Sequence, residues 1–490
     1  MRTAGKAALG AAGAIAILAG VIAVRTATFR SPVAADGAAV ALAEAPAMDP
    51  ALAARHLSEA IRIATVSHQD AADNDAAQWE ALHRWLAATY PAAHAAMRRE
   101  TVAGHTLIYS WLGSDPALPP VVLMAHQDVV PVTPGTERDW THPPFAGVIA
   151  DGAVWGRGAI DDKGSLVALF EAVEALAAEG FRPRRTLILV SGHDEETGGS
   201  GARVAAALLK SRGVRAQFVL DEGMATIKDF ALLGRPTALI GVAEKGYATL
   251  RVTAPAPGGH SSAPPAETGV ETLARAVLAI SARPDPMRFE GPGADMVRTL
   301  AAEGPLMTRI VVANQWLFGP LLVRQVAATP AGAATLHTTI APTMLKGSPK
   351  ENVLPQDATA WINYRIAPGE TMDDVMARAR EATAGLKVEM AWEGHASNPS
   401  PIASTRSDGW RVIAALAGDG GRTPVAPGLV TGGTDSRYMS PIADDIYRYQ
   451  PLILEMGALG MIHGTNEHMT IANLQRMTGF YARLIATATR

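Results

Sequence analysis

Cysteine is absent from this chain of 490 residues. Without thiols there are no disulfide bonds and no thiolate ligands, so a metal site would have to use histidine and carboxylate side chains. A strong excess of charge is also missing, because the formal net charge is only −4 and no block of Lys or Arg occurs. The composition therefore argues against a nucleic-acid-binding surface, and we expect no nucleic-acid partner.

One long uncharged run lies near the N-terminus, at residues 7–24, with basic residues on both sides. Its length is about that needed to cross the apolar core of a bilayer. It predicts a signal-anchor helix within residues 1–30, with a cleaved signal peptide or a buried soluble helix as alternatives. Residues 31–50, dominated by Ala and Pro, are typical of a linker. We expect a membrane-anchored or exported protein, periplasmic or extracellular, that contacts the membrane only through this helix.

From about residue 51 the chain alternates between helical and extended patterns. Helices are predicted at residues 57–64, 78–89, 165–178 and 202–210, and strands at residues 106–111, 121–125, 186–190 and 217–220. Ser165 is the expected N-cap of the third helix. Continuous apolar strands separated by helices indicate an α/β domain with a mostly parallel sheet and helices on both faces. We assign this domain to residues 51–246 and 395–490.

A different pattern occupies residues 247–394. Strands at residues 248–254, 335–344, 360–366 and 387–392 alternate with helices at residues 271–281 and 372–384. The order strand–helix–strand–strand–helix–strand predicts a small α+β domain inserted into the first one. Residues 287–328 are extra and predict a helical insertion with an apolar face. Aromatic residues such as Trp316 favour a core position there, and a pocket for an acyl chain is the alternative.

Candidate chemistry follows the predicted strands of the larger domain. His126 and Asp128 follow one strand, three acids at residues 194–196 follow another, and Asp221 and Glu222 follow a third. A fourth acidic pair, at residues 161–162, lies on a glycine-bounded loop before a helix. In parallel sheets such side chains meet at the carboxyl ends of the strands. So many carboxylates together indicate a divalent metal with nitrogen and oxygen ligands, although the acidic stretch at residues 191–199 alone could be a solvated turn.

His126 and Asp128 have a spacing with a physical reason. Alternate residues of an extended segment share a side, so Asp128 can accept the second imidazole N–H of His126. That contact would fix the tautomer of a metal-bound histidine. Alone, this spacing is weak evidence for a metal site. Together with the acidic loops it becomes strong evidence.

Taken together, these motifs resemble the dizinc metallopeptidase family that contains carboxypeptidase S, aminoacylase, acetylornithine deacetylase and succinyl-diaminopimelate desuccinylase. The similarity is greatest to the branch of carboxypeptidase S and the secreted N-fatty-acyl-amino-acid synthase/hydrolases. The matching segments are residues 124–131, 156–164, 193–198, 220–223, 259–265, 352–355, 433–437 and 462–467. The resemblance implies a zinc-peptidase-like α/β fold with an inserted ferredoxin-like lid and dimerisation domain.

The resemblance also implies two Zn²⁺ ions per subunit, with Co²⁺ or Mn²⁺ as possible substitutes. His126 with Asp221 or Glu222 would hold one ion, and Glu196 with His463 the other. Asp161 would bridge both ions, with a cis peptide bond to Asp162. Glu195 would be the general base. The choice between Asp221 and Glu222 stays open.

For the inserted domain, the resemblance implies three further roles. His260 would stabilise the oxyanion, reaching across a homodimer formed through this domain. Arg365, with Asn352, would bind the free carboxylate of the substrate. The bland alternatives are a turn residue for His260 and a surface charge for Arg365.

The resemblance predicts hydrolysis of an amide bond next to a free carboxylate, in short peptides as for carboxypeptidase S. Hydrolysis or synthesis of N-acyl amino acids is the alternative. A catalytically silent binding protein on the same scaffold is a remote one, because every expected catalytic position is filled.

Overall fold

A computed structural model describes residues 2–33 and 40–490 of the chain. The chain divides into two compact units. The large unit contains Ala34–Ala243 and Pro401–Arg490, and the small unit contains Met1–Val33 and Glu244–Ser400. The prediction of a linker falls partly on residues 34–39, which lie outside the described residues.

Helices and strands are numbered separately in chain order. The helices are α1 (Arg2–Thr28), α2 (Pro50–Arg62), α3 (Ala76–Thr89), α4 (Pro91–Ala96), α5 (Lys163–Ala178), α6 (Ser200–Ser211), α7 (Gly269–Ser281), α8 (Gly291–Ala301), α9 (Leu306–Ala313), α10 (Gln315–Val326), α11 (Pro330–Ala334), α12 (Met372–Ala382), α13 (Asp408–Ala417) and α14 (Ile471–Ala488). The first strands are β1 (Arg98–Val102), β2 (Thr106–Trp111), β3 (Val121–Met124), β4 (Val148–Ala150), β5 (Ala153–Trp155), β6 (Leu187–Ser191), β7 (Phe218–Asp221), β8 (Thr226–Phe230), β9 (Arg235–Glu244) and β10 (Gly246–Pro255). The remaining strands are β11 (Gly259–His260), β12 (Thr339–Lys346), β13 (Val353–Leu354), β14 (Asp357–Ile366), β15 (Glu389–Ser397), β16 (Val425–Val430), β17 (Ile446–Arg448), β18 (Ile453–Leu454) and β19 (His468–Thr470).

The main sheet of the large unit has the strand order β1-β2-β6-β3-β7-β17-β9-β8-β18, and β16 pairs with β9. Its centre, β6-β3-β7-β17, is parallel. Towards one edge β2 and β1 run antiparallel, and on the other side β9 is antiparallel to both β17 and β8. The predicted α/β class is confirmed, and the parallel region is smaller than predicted because hairpins extend the sheet on both sides.

The core beneath the parallel strands explains their apolar sequence. Val122, Ile188 and Val219 from three neighbouring strands are at most 4% exposed, and they pack against α6. Part of the predicted linker also packs. Ala43 is 2% exposed, and its N–H donates to Thr487 Oγ1 at 2.9 Å. The Arg483 side chain of α14 also donates to the Ala43 backbone oxygen at 3.1 Å, so this part of the predicted linker is fixed to α14 at Ala43.

The start of α5 differs from the prediction in an informative way. The helix begins at Lys163 with Asp162 as its N-cap residue, so Ser165 lies inside the helix. The Asp162 side chain makes no capping bond. Its Oδ1 accepts a hydrogen bond from Gln450 at 2.8 Å instead. The N-cap prediction for Ser165 is therefore wrong.

The small unit contains an antiparallel sheet of order β12-β14-β10-β15 with α7 and α12 packed against it. The order β10-α7-β12-β14-α12-β15 is the predicted α+β pattern. Helices α8 to α10 lie within the predicted helical insertion, and α11 follows it. Trp316 is 53% exposed, so the interpretation of this residue as part of a core is wrong.

Helix α1 also belongs to the small unit. Ala11–Thr28 is long and apolar enough to cross a membrane, a property that signal sequences share. Within that stretch Thr26 alone is buried. The side chains of the helix are therefore open over most of its length.

Candidate active site

The candidate site lies in the large unit, where three parallel strands end. His126 follows β3, a short 3₁₀ turn at Glu195–Thr197 follows β6, and Glu222 follows β7. Because β3 is hydrogen-bonded to both β6 and β7 in parallel, these ends lie at one edge of the sheet. The site is therefore positioned by the most deeply buried strands of the protein.

Asp161 lies between two histidines. Its Oδ1 is 2.8 Å from His126 Nε2, and its Oδ2 is 3.0 Å from His463 Nε2. The Asp161–Asp162 peptide bond is cis, as predicted. His463 comes from the loop before β19 and has a φ of 60°, a conformation that non-glycine residues adopt rarely. One carboxylate thus faces imidazoles that are far apart in sequence.

A second carboxylate accompanies each histidine. Glu222 Oε1 is 3.3 Å from His126 Nε2, and Glu196 Oε2 is 3.1 Å from His463 Nε2. His126, Asp161 and Glu196 offer ligand atoms within 4.8 Å of one another, and so do His126, Asp162 and Glu222. Glu196 Oε1 is buried and has no hydrogen-bond partner within the described part of the chain. A buried carboxylate oxygen without a donor is costly, and a cation would satisfy it, so these residues fit a divalent metal.

Asp221 and Glu222 occupy different surroundings. Asp221 is 3% exposed, and its Oδ2 accepts the backbone N–H of Ser436 at 2.8 Å. Glu222 instead points its carboxylate at His126. Asp162, which we did not select as a ligand, accepts the backbone N–H of His126 at 3.3 Å through Oδ2. Glu222 is therefore the acid of this pair that faces His126. Asp221 accepts a hydrogen bond from the Ser436 backbone, and Asp162 accepts hydrogen bonds from the His126 backbone and the Gln450 side chain.

The titration of these groups shows how strongly they interact. Burial lowers the pKa of His126, but Glu222, Asp128 and Asp161 outweigh burial and raise it well above its ordinary value. Burial raises the pKa of Glu222, and the charge of Asp161 raises it further. Hydrogen bonds that the His463 imidazole donates to Asp161 and Glu196 raise the pKa of His463 to about 10. The acids repel one another and favour the protonated, positively charged form of both histidines. A cation bound among the acids would be stabilised in the same way.

Asp128 connects His126 to the acidic loop. His126 Nδ1 lies 2.9 Å from the backbone oxygen of Asp128 and 3.3 Å from its carboxylate. The same carboxylate accepts the backbone N–H groups of Glu195 and Glu196 at 3.1 and 3.2 Å, and the hydroxyl of Ser67 at 2.6 Å. Asp128 therefore contacts the imidazole as predicted, and it also holds the turn that carries both glutamates.

Glu195 lies close to other acids. Burial raises the pKa of Glu195 well above its ordinary value, and Asp435 and Glu196 raise it further. The loop is closely packed against Asp435, because a Cβ at Gly192 would lie 1.9 Å from its Oδ2. A larger residue at position 192 would have to displace the Asp435 carboxylate, which favours a glycine directly after β6.

Sequence reasoning missed the importance of Glu467. This residue is fully buried and pairs with Arg157 at 2.7 Å. Its carboxylate also accepts the backbone N–H groups of Gly158, Ile160 and Asp161 at 2.9, 2.8 and 3.1 Å. Glu467 thus shapes the loop that presents Asp161. The signal was its place in the matched segment at residues 462–467.

Two open cavities flank the cluster. One, of about 810 Å³, reaches Glu196 and is lined by polar residues such as Ser67 and Asp70. The other, of about 320 Å³, reaches Asp161 and Glu222, and its walls include the apolar residues Met224, Leu429, Val430 and Ile462. Open space therefore adjoins the cluster at Glu196 and again at Asp161 and Glu222.

The predicted substrate contacts lie in the small unit. His260 is exposed on β11 and its Nδ1 is 2.8 Å from Ser262 Oγ. Asn352 lies beside it, because its backbone oxygen accepts the N–H of Ser261 at 3.1 Å. Arg365 lies on β14, with its guanidinium 4.7 Å from the ring centre of Tyr247. His260 and Asn352 are thus neighbours, and Arg365 is held on the sheet.

Histidines and carboxylates around one shared carboxylate, at the strand ends of an α/β sheet, define a metal-dependent hydrolase. Comparisons with known proteins agree. Residues 122–487 match the peptidase family M20/M25/M40. The chain therefore belongs to that family.

Relatives within the family have two kinds of name. The probable carboxypeptidase S-like 2 of Dictyostelium discoideum is 33% identical over 439 residues, covering 88% of this chain and 84% of that protein. The N-fatty-acyl-amino acid synthase/hydrolase PM20D1 of Xenopus tropicalis is 36% identical over 437 residues, covering 88% and 84%. Among solved structures, an M20 family metallo-carboxypeptidase from Sulfolobus solfataricus has a TM-score of 0.65 at 18% identity, covering 90% of this chain and 99% of that one.

Proposed function

We propose that the protein is a dizinc hydrolase that cleaves an amide bond adjacent to a free carboxylate in short peptides. One observation carries the proposal: Asp161 directs one oxygen to His126 and the other to His463. Such a shared carboxylate suits two cations placed side by side. Catalytic halves at residues 51–246 and 395–490, with an inserted domain at residues 247–394, are part of this proposal.

The metal ligands follow from the contacts. His126 and Glu222 would hold one ion, His463 and Glu196 the other, and Asp161 both. Histidine and carboxylate ligands suit Zn²⁺, and Co²⁺ or Mn²⁺ are possible substitutes. Asp221 is less suited, because the backbone of Ser436 already satisfies one of its oxygens.

Glu195 is proposed as the general base. Zinc ions bound here would supply Lewis-acid polarisation of the substrate carbonyl and would acidify the attacking water. The Glu195 carboxylate would take the proton from that water and deliver it to the leaving amine. Its raised pKa, due first to burial, suits a group that must both accept and release a proton. Asp128 would orient His126 and the Glu195 backbone without touching the substrate.

The small unit would supply substrate contacts. His260 would donate a hydrogen bond to the oxyanion, in a homodimer formed through this unit. Arg365 would bind the substrate carboxylate with both guanidinium nitrogens, assisted by Asn352. The side-chain oxygen of Asn352 is buried and has no hydrogen-bond partner in the described chain, which leaves it able to accept one from a ligand.

An N-acyl amino acid is the second candidate substrate. The cavity of about 320 Å³ beside Asp161 and Glu222 has apolar walls, including Leu429 and Ile462, that would suit an acyl chain. This reading is also favoured by the relatives named N-fatty-acyl-amino acid synthase/hydrolase. Both substrates present the same amide next to the same carboxylate, so one mechanism serves either.

Helix α1 would serve as an anchor or an export signal.

The experiment combines metal analysis with a matched substrate set. We expect about two zinc ions per chain, loss of activity with a chelator, and recovery on adding Zn²⁺. Dipeptides and N-oleoyl amino acids would be compared, each with a free and an amidated carboxyl group. The free acids should react and the amides should not. Protein that holds no zinc and keeps its activity in the presence of the chelator would contradict the mechanism. Zinc-loaded protein that is inactive on both substrate sets would indicate a binding protein.

A further inference from the structure

Helix α10 exposes an apolar face that the core of the small unit does not use. Trp316 is 53% exposed, and Leu317 and Leu321 are each 41% exposed. Leu317 and Leu321 are one helical turn apart, and Trp316 precedes them near the start of the helix, at an adjoining part of its surface. These three side chains are called the α10 patch below.

The α10 patch begins next to the point where α1 is held by the small unit. Asn314, between α9 and α10, donates from Nδ2 to Thr26 Oγ1 at 3.2 Å. Arg25 Nε donates to the backbone oxygen of Ala313 at 3.3 Å. The patch therefore starts within three residues of these contacts with α1.

Helix α9 and the residue after it contact the last two turns of α1. Arg309, early in α9, donates from Nη2 to Thr26 O at 3.4 Å. Asn314, just after α9, donates from Nδ2 to Ile22 O at 3.5 Å. The junction of α9 and α10 therefore lies beside Ile22, and residues 11–21 of α1, which precede it, are all exposed.

The junction turns back instead of continuing. The chain bends by 114° between α9 and α10. Residues 304–350 contain no Asp or Glu, and the exposed Arg324 lies one turn beyond Leu321. Tryptophan and leucine at a tip with a basic flank match the boundary between acyl chains and anionic headgroups.

We propose that the α10 patch inserts into the headgroup–acyl boundary of a phospholipid bilayer beside α1. The small unit is then docked on the membrane at two adjacent places and does not hang from a single helix. It adds a second membrane contact to the one that the sequence predicts, and it rests on the proposal that α1 anchors the protein. The proposal is independent of the substrate and of the metal.

The absence of cysteine makes a direct test possible, because one introduced thiol can be labelled in an otherwise thiol-free chain. The full-length variant Leu317→Cys would carry an environment-sensitive fluorophore and be reconstituted into phosphatidylcholine–phosphatidylglycerol vesicles. Nitroxide-bearing lipids report contact with acyl chains, and aqueous iodide reports exposure to water. Leu321→Cys repeats the measurement one turn later, so a single poorly folded variant does not leave the question open.

Two matched positions frame the result. Leu306, at the opposite end of α9, is 64% exposed and should stay in water. Ile17, on the apolar body of α1, is 67% exposed and should lie among lipids. We expect nitroxide lipids to quench the labels at positions 317, 321 and 17, and iodide to quench the label at 306.

The proposal fails if the labels at 317 and 321 behave like the label at 306, with iodide quenching unchanged by vesicles. It also fails if those labels are shielded from iodide without being quenched by nitroxide lipids. In that second case a protein surface, such as another copy of this chain, covers the patch.

Discussion

Most candidate residues of the large unit are more deeply buried than those of the small unit, and His463, which is exposed, is the exception in the large unit. In the large unit, His126 is 2% exposed and Asp128 and Glu467 are fully buried, each tied to backbone or charged partners. In the small unit, His260 is exposed on a two-residue strand. The buried cluster is fixed by its surroundings and needs a cation to balance its charge. Changes to the proposed ligands there should alter metal content and rate together, whereas changes in the small unit should leave the metal in place.

The largest effect is expected at Asp161. Asp161→Asn removes the charge that both clusters share, and an amide nitrogen is a poor ligand. Zinc should fall from about two ions per chain to fewer than about one, and the rate should fall by more than about 10⁴-fold. Metal analysis after dialysis and steady-state rates provide the measurement. Asp151→Asn, at an exposed turn, is the control and should match the parent. Full zinc retention in Asp161→Asn would contradict the role of Asp161 as a ligand shared by both metal ions.

Glu195 should separate chemistry from metal binding within the same buried loop. Glu195→Gln keeps the shape but removes the proton acceptor, so the rate should fall roughly 10²–10⁴-fold with the zinc retained. The neighbouring substitution Glu196→Gln is the matched control and should lose zinc, because Glu196 faces His463. Metal content and single-turnover rates distinguish the two. Equal loss of zinc in both variants would contradict the separate roles.

The strand pattern was enough to predict where the acids meet, and the reason is general. Buried parallel strands are read from apolar runs, and their ends share one edge. What the pattern could not supply is the direction of individual side chains in a turn. Asp221 is the last residue of β7 and Glu222 lies just beyond it, so their roles depend on the path of the chain through Gly223, whose φ is 127°.

Long-range partners were beyond the sequence for a second reason. Glu467 meets Gly158, Ile160 and Asp161 across more than 300 positions of sequence, and no local pattern encodes such a meeting. The Ser165 error has the same origin. The Asp162 side chain accepts hydrogen bonds from Gln450 and from the His126 backbone. These distant contacts accompany a helix start at Lys163, before the serine that local preference would choose as the N-cap. Functional loops depart from local rules because distant residues hold them.

A smaller effect is expected from Asp128, which supports the site without being a proposed ligand. Asp128→Asn weakens an acceptor of the Ser67 hydroxyl and of two loop N–H groups, so zinc affinity should fall about 10–100-fold. Competition with a calibrated chelator measures this affinity. Ser67→Ala removes one of the same contacts and should have a smaller effect. An unchanged affinity in Asp128→Asn would mean that the backbone oxygen of Asp128 alone orients His126.

The smallest effect is expected at Arg365, where a substitution tests whether the small unit acts on the substrate without affecting the metal. Lysine keeps the positive charge but lacks the planar fork, so Arg365→Lys should raise KM about 10-fold with kcat and zinc unchanged. Arg251→Lys is the matched control, because Arg251 lies on the neighbouring strand β10 and pairs with Glu393 at 3.4 Å.

The substrate provides a second control for the same residue. Any slow reaction of an amidated substrate should be insensitive to Arg365→Lys, since that substrate has no carboxylate for the fork to bind. Loss of zinc in Arg365→Lys would contradict the division between the units, because the guanidinium would then support the buried cluster. A fall in kcat with KM unchanged would instead assign Arg365 to the transition state. The ratio of the two constants, with metal content, therefore decides whether the small unit selects the substrate or takes part in the reaction.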